Sequence, residues 1–265
     1  MSEFEKLRVV IRYEFLKHIR RRRLYVILGL TFVAELAVLV GLPALMGGFP
    51  DNVMVMAALL TIGPSLATIG AVFFAGDAIA GEFESKTGYI LFTNPVRRIT
   101  LVTGKYLASC VAVILLIIFG YAIVAVFLLV IYGNVPLETA KSFGLCLLFA
   151  GSVLSVTFFF SSVSKGAMGA TVMTLLFIMV ISGIIETVLL MAGKPCWFLL
   201  STGGDSVAAV YGGYELFLEG IMPNGGMLPF AIETPDIGLT ALSMAVYLVV
   251  GFLLSIWITK RRQLT

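Results

Sequence analysis

Long apolar runs separated by short polar stretches set the pattern of this chain. The first run is 24–46, LYVILGLTFVAELAVLVGLPALM, and Gly47, Gly48, Pro50, Asp51 and Asn52 turn the chain after it. The second is 53–76, with Pro64 inside it as an expected kink. The third, 106–132, stops at Gly133-Asn134-Val135-Pro136, and the fourth and fifth follow at 142–163 and 167–192. The sixth, 238–259, closes on Lys260-Arg261-Arg262. Each run is near or above the ~20 residues that cross a ~30 Å hydrocarbon core. The pattern predicts an all-α, polytopic integral membrane protein: six transmembrane helices in one domain covering 1–265. What remains is a basic N-terminal arm (1–23), a polar stretch (77–105) and a long segment (193–237).

Composition strengthens this reading. Of 265 residues, 60% are hydrophobic and only 12% charged, and mean hydropathy is +1.06. A soluble domain carries roughly 25% charge to coat its surface. Cys110, Cys146 and Cys196 have no CxxC or Cys/His spacing, so neither a disulfide framework nor a metal site is supported.

The distribution of charge gives the orientation. Lys6, Arg8, Arg12, Lys17 and Arg20 to Arg23 precede the first run. Lys86, Arg97, Arg98 and Lys105 lie between the second and third, Lys165 between the fourth and fifth, and three more follow the sixth. The alternate loops hold only Lys141 and Lys194. By the positive-inside rule both termini are expected in the cytoplasm, with the protein multi-pass in the cell membrane. The 193–237 segment is acidic and is expected outside. Val207, Val210, Tyr211, Tyr214, Leu218 and Ile221 recur there at helical spacing, with Asp205 placed to cap. A short helix on or in the outer leaflet and an ordinary structured loop both fit.

Motifs for catalysis are missing. No G-x-x-x-x-G-K-[ST] occurs, because Gly104-Lys105 is followed by Tyr106 and Ile99 stands where the first glycine belongs. No H-E-x-x-H or G-x-S-x-G occurs either, and the single histidine, His18, lies in the N-terminal arm. The chain is therefore expected not to be an enzyme, with no catalytic or metal-binding residues and no cofactor of its own.

The stretch AGDAIAGEFESKTGYILFTNPVRRITLVTGKYLA carries the most information. Glu82, Glu84, Lys86 and Thr87 lead into Tyr89, Ile90, Leu91 and Phe92, and Pro95 ends the patch before Arg97 and Arg98. A short helix with apolar anchors and flanking charges suits docking to another protein. A solvated loop that merely satisfies the positive-inside rule fits the same residues.

This stretch resembles the first cytoplasmic loop of the ABC-2 family of ABC transporter permeases. The matching positions are Glu82 and Glu84, Ile90 and Leu91, Pro95, Arg97 or Arg98, and Gly104-Lys105, with Lys86-Thr87-Gly88 where the family has Gly-Thr. The resemblance extends to the basic N-terminal helix, the six spans and the longer segment before the last. It implies a short cytoplasmic coupling helix between helices 2 and 3, seated on a separate ABC ATPase subunit that binds ATP and Mg. It also implies a second permease chain, identical or paralogous, in contact with membrane lipid and without nucleic acid. Export is the expected direction. A self-contained secondary transporter and a non-transporting membrane sensor or scaffold are the other readings.

Two further features invite a role. Phe4, Leu7, Ile11 and Phe15 form a stripe on the N-terminal arm, spoiled by Glu14, Val9, Tyr13 and Leu16. An interfacial helix held by anionic lipid fits, and so does a helix packed on the ATPase. Glu35 lies mid-span, where a charge costs about 2.5–3.5 kcal/mol on insertion scales. It either lines the transport path or is a neutral carboxyl bonded to Thr31, Ser65 or another polar neighbour.

Overall fold

The computed structural model describes residues 2–20, 22–84, 97–212 and 235–261, and among these there is no strand. The helices are α1 (Glu3–Arg20), α2 (Arg23–Met46), α3 (Val53–Leu60), α4 (Gly63–Ala75), α5 (Ala80–Glu84), α6 (Arg98–Tyr132), α7 (Leu137–Val163), α8 (Ala167–Leu175), α9 (Ser182–Met191), α10 (Leu200–Ala209) and α11 (Ile237–Arg261). A π-helical segment, Leu176–Ile181, joins α8 to α9. Six stretches are long and apolar enough to cross a membrane: α2, α3 to α5, α6, α7, α8 to α9, and α11. The protein is thus an all-α membrane protein with six candidate spans.

Local chemistry explains where these helices stop. Gly47 at φ 76° and Gly133 at φ 69° end α2 and α6 in the left-handed conformation that only glycine adopts freely. The Asn52 side chain accepts a hydrogen bond from Met54 N (2.9 Å) and so starts α3.

The second span is not one kinked helix but two. A proline ring clashes with the carbonyl four residues back; for Pro64 that is Leu60, the last residue of α3. Pro64 lies instead in the first turn of α4, where its missing N–H costs nothing. Thr61 Oγ1 donates to Ala57 O (2.7 Å) and re-satisfies one carbonyl freed by the break.

Two helices start earlier than their hydropathy suggests. α6 begins at Arg98 rather than at 106, and α7 begins at Leu137 rather than at 142. Arg97, in extended conformation, precedes α6, and Pro136 fills that place before α7. Glu138 in the first turn of α7 suits the positive end of the helix dipole. Polar side chains hid both starts in the sequence.

Helices in lipid gain little from the hydrophobic effect between themselves, so close packing and buried hydroxyls hold them. The α7–α11 pair shows this. A Cβ on Gly251 would lie 3.0 Å from the Ser155 carbonyl carbon, and one on Gly151 would lie 2.7 Å from Leu248. Ser152 Oγ sits 2.7 Å from Met244 O across this contact. The Tyr106 hydroxyl from α6 meets Ser155 Oγ (3.0 Å) and joins the third helix to the pair. Around them Phe74, Phe158, Leu116, Leu154 and Met244 are fully buried.

The 193–237 segment does contain a short helix, α10, rather than only a loop, and it is packed into the bundle rather than lying on its surface. Leu200, Ser206 and Val207 are completely buried, and Ser142 Oγ donates to Val207 O (2.8 Å). A Cβ on Gly204 would lie 3.3 Å from Phe149, in the middle of α7, and 3.5 Å from Pro64, in the first turn of α4. α10 therefore enters the bundle between the fifth and sixth spans. Asp205 sits within the helix rather than at its cap. Tyr211, just beyond it, is also buried; the expected continuation through Tyr214, Leu218 and Ile221 lies outside the described residues.

Candidate functional site

The acidic pair of the 77–105 stretch anchors the root of that loop. Glu82 and Glu84 both lie on α5, the last helical turn before the segment 85–96. Glu82 Oε1 is 2.9 Å from the ammonium of Lys105, which also meets Glu14 Oε1 at 2.7 Å. Lys17 stands 3.5 Å from Glu14 and 3.6 Å from Glu82. Two cations and two carboxylates from α1, α5 and α6 thus share one cluster. Lys105 is only 5% exposed, and its two charge-assisted hydrogen bonds offset the cost of burying the ammonium there. His18, Asp77 and Ser109 line a cavity of about 10 Å³ beside it.

Glu84 reaches in another direction. Its Oε2 accepts from the backbone N–H of Ala167 (2.8 Å), the first residue of α8. A carboxylate there satisfies one orphan N–H and complements the helix dipole. Just before α5 the chain is fixed by Ser161 of α7: its Oγ accepts from Ile79 N (3.1 Å) and Ala80 N (3.0 Å) and donates to Gly76 O (2.9 Å). The entrance to the loop is therefore bonded to the first, third, fourth and fifth spans or their extensions.

α1 packs on the protein's own bundle. A Cβ on Gly104 would lie 2.5 Å from Val10 Cγ1 and 3.6 Å from Leu7 Cδ1, so the glycine is what admits α1 against α6. Thr100 Oγ1 donates to Glu3 Oε2 (3.1 Å), where Lys6 and Thr100 hold the Glu3 carboxyl below its ordinary range. His18 lies edge-on to Phe74 with ring centroids 5.3 Å apart. Leu7 and Phe15 of the expected stripe pack on the bundle together with Val10, Glu14 and His18, whereas Phe4 is 76% exposed. Val9, Tyr13 and Leu16 remain exposed on the opposite face.

At the far side of the loop, Arg97 is exposed and Arg98 Nη1 approaches Lys260 O at 3.5 Å. The first and last described helices thus meet the same end of the bundle. Lys86, Thr87, Ile90, Leu91 and Pro95 lie outside the described residues. Sequence reasoning missed Lys105 and Glu14 as site residues, treating one as the opening of a span and the other as a flaw in a stripe. That flaw was the available signal, since a carboxylate on a packed helix face needs a cation.

Glu35 sits apart from this cluster. With Leu24, Ile27 and Thr31 it forms the buried stripe of α2, and it is 1% exposed. The bond to Thr31 is not formed: Thr31 Oγ1 donates to Ile27 O (2.8 Å) and no Glu35 oxygen reaches it, while Ser65 is exposed. Among the described residues, neither Glu35 oxygen has a hydrogen-bond partner. An apolar groove of about 260 Å³, lined by the fourth and sixth spans and the π-helical segment, runs between Phe159, Phe160, Phe177 and Tyr247. Among the described residues, no three His, Cys, Asp or Glu side chains come together in a metal-binding group.

No curated protein matches the chain. A family model described as the ABC-2 family transporter protein matches residues 10–183, which takes in α1 from its middle, the loop root and the first five spans as far as α9. With six candidate spans and a match over more than half its length, the chain belongs to the ABC-2 family of transporter membrane proteins, whose members are permease subunits.

Proposed function

We propose that this chain is the membrane half of an ATP-driven exporter, working as a pair of permease chains above two separate ABC ATPase subunits. ATP and Mg bind in those partners. In this reading the end of the bundle that carries α1 and the loop root faces the cytoplasm, as the sixteen-to-two split of basic residues between alternate loops requires. The 85–96 segment, with Lys86, Thr87, Ile90, Leu91 and Pro95, is the coupling element, and Arg97 and Arg98 close it.

One observation carries the proposal: the Lys105 cluster binds the loop root to α1 and α6 at once. A push on the loop would otherwise dissipate in a flexible linker. Here Glu82 passes it to Lys105 on the third span, and Glu84 passes it to the start of the fifth. Nucleotide binding then biases the bundle between two states by differential contact at the loop. Because the exposed face of α1 carries Arg8 and Arg12 beside Val9, Tyr13 and Leu16, it rests on anionic lipid.

Co-purification tests this. The wild-type chain should retain its ATPase in detergent, whereas Leu91→Asp and Arg97→Glu should lose it while keeping a folded membrane domain. Failure of the wild type to retain any ATPase would favour a self-contained transporter or a sensor.

A further inference from the structure

Glu35 is the buried group that the coupling cluster does not use. Its carboxylate lies among α2, α4 and α6, against bare backbone: an ideal Cβ on Gly120 would be 4.0 Å from Glu35 Oε1, 3.9 Å from Thr31 Cγ2 and 2.7 Å from Leu66 Cδ1. Leu66 is about one helical turn past the break between α3 and α4. Discontinuous helices in the middle of a membrane protein commonly mark ligand and ion sites.

What could bind there is narrow. α3 and α4 carry no titratable side chain. On α6 the nearest is Tyr121, whose hydroxyl is engaged with Ser142 Oγ at 2.8 Å. Cys110, Tyr106 and Lys105 lie about three to four turns further along α6, with Lys105 committed to Glu14 and Glu82. On α1, Glu14 and Lys17 are held in the Lys105 cluster and Glu3 is held by Thr100 and Lys6. Among the described residues, therefore, no cation faces Glu35, and a 1% exposed carboxyl leaves little room for a hydrated one. A bare carboxylate without partners is strongly disfavoured in such a place. A proton removes the charge and needs no cavity.

We propose that Glu35 is a proton-binding site in the membrane core, loaded while α2 packs against α4 and α6, and opened to exchange when they separate during the transport cycle. The exchange step rests on the transporter reading; the presence of the proton does not. Nothing is oxidised or reduced: the carboxyl O–H bond breaks, and the proton passes to water admitted at the opened contact.

The test is infrared difference spectroscopy on the permease–ATPase complex in lipid nanodiscs, wild type minus Glu35→Gln, near neutral pH in deuterated buffer. The expected spectrum has the carbonyl stretch of a protonated carboxylic acid, lost in Glu35→Gln and shifted but retained in Glu35→Asp, which also covers misfolding of the amide variant. Carboxylate bands in its place would overturn the site. ATP turnover should speed the deuterium shift of that band at least several-fold. An unchanged rate while ATP is being hydrolysed would reduce Glu35 to a static buried acid. Absence of ATP hydrolysis in the wild type would sink the transporter reading instead, leaving the acid band to decide the proton site.

Discussion

Replacing Lys105 by methionine removes the cation that neutralises Glu14 and Glu82 while keeping most of the volume. The two carboxylates are then left 16% and 15% exposed, with Lys17 still beside them at 3.5 and 3.6 Å. Removing one partner of a buried pair costs about 3–5 kcal/mol when the other charge is stranded. Residual solvent and Lys17 soften that here, so we expect a loss of about 2–3 kcal/mol. Lys105→Met with Glu82→Gln should cost less than the sum of the two, with a coupling on the order of 1–2 kcal/mol. Reversible unfolding in mixed micelles reads the free energies, and amide exchange reads where the damage falls. Protection should drop across α1, because Glu14 is one of its bonds to α6. A Lys105→Met protein within ~0.5 kcal/mol of wild type, with α1 exchange unchanged, would show that the cluster transmits nothing.

Two further outcomes follow from geometry. Gly104→Ala puts a methyl 2.5 Å from Val10 Cγ1 and should displace α1 at a cost of about 1–3 kcal/mol; trypsin should then cut at Arg8 and Arg12 several-fold faster, and adding Val10→Ala should reverse the gain. Asp205 is pushed up to about 7 by burial first and by the neighbouring Glu186 carboxyl second. The folded state then holds a proton that the unfolded chain releases, so stability is greatest at acid pH and declines as pH rises from about 4 towards 7. Asp205→Asn should flatten that slope in thermal unfolding across the same range, and an unchanged slope would contradict the assignment.

The sequence by itself determined six spans, because hydropathy over ~20 residues is a local property that survives any packing. The uneven distribution of Lys and Arg between alternate loops was likewise plain without coordinates. The boundaries that slipped were those where polar residues belong to helices. Arg98 to Lys105 read as loop because they are charged and hydroxylated, yet Glu3, Glu14, Glu82 and the Lys260 carbonyl satisfy them. Glu82 and Glu84 were legible as a pair through the family resemblance, but not their opposite destinations, Lys105 and the N–H of Ala167. Those partners lie 23 and 83 residues away, and Glu14 lies 91 residues from Lys105; no local pattern encodes such distances. The same holds for α10, where Phe149, Pro64 and Met244, all distant in the chain, close on Gly203 and Gly204. Local hydrophobicity fixes which segments enter the membrane; which side chains then meet is settled by helix packing, where one glycine decides whether two helices touch.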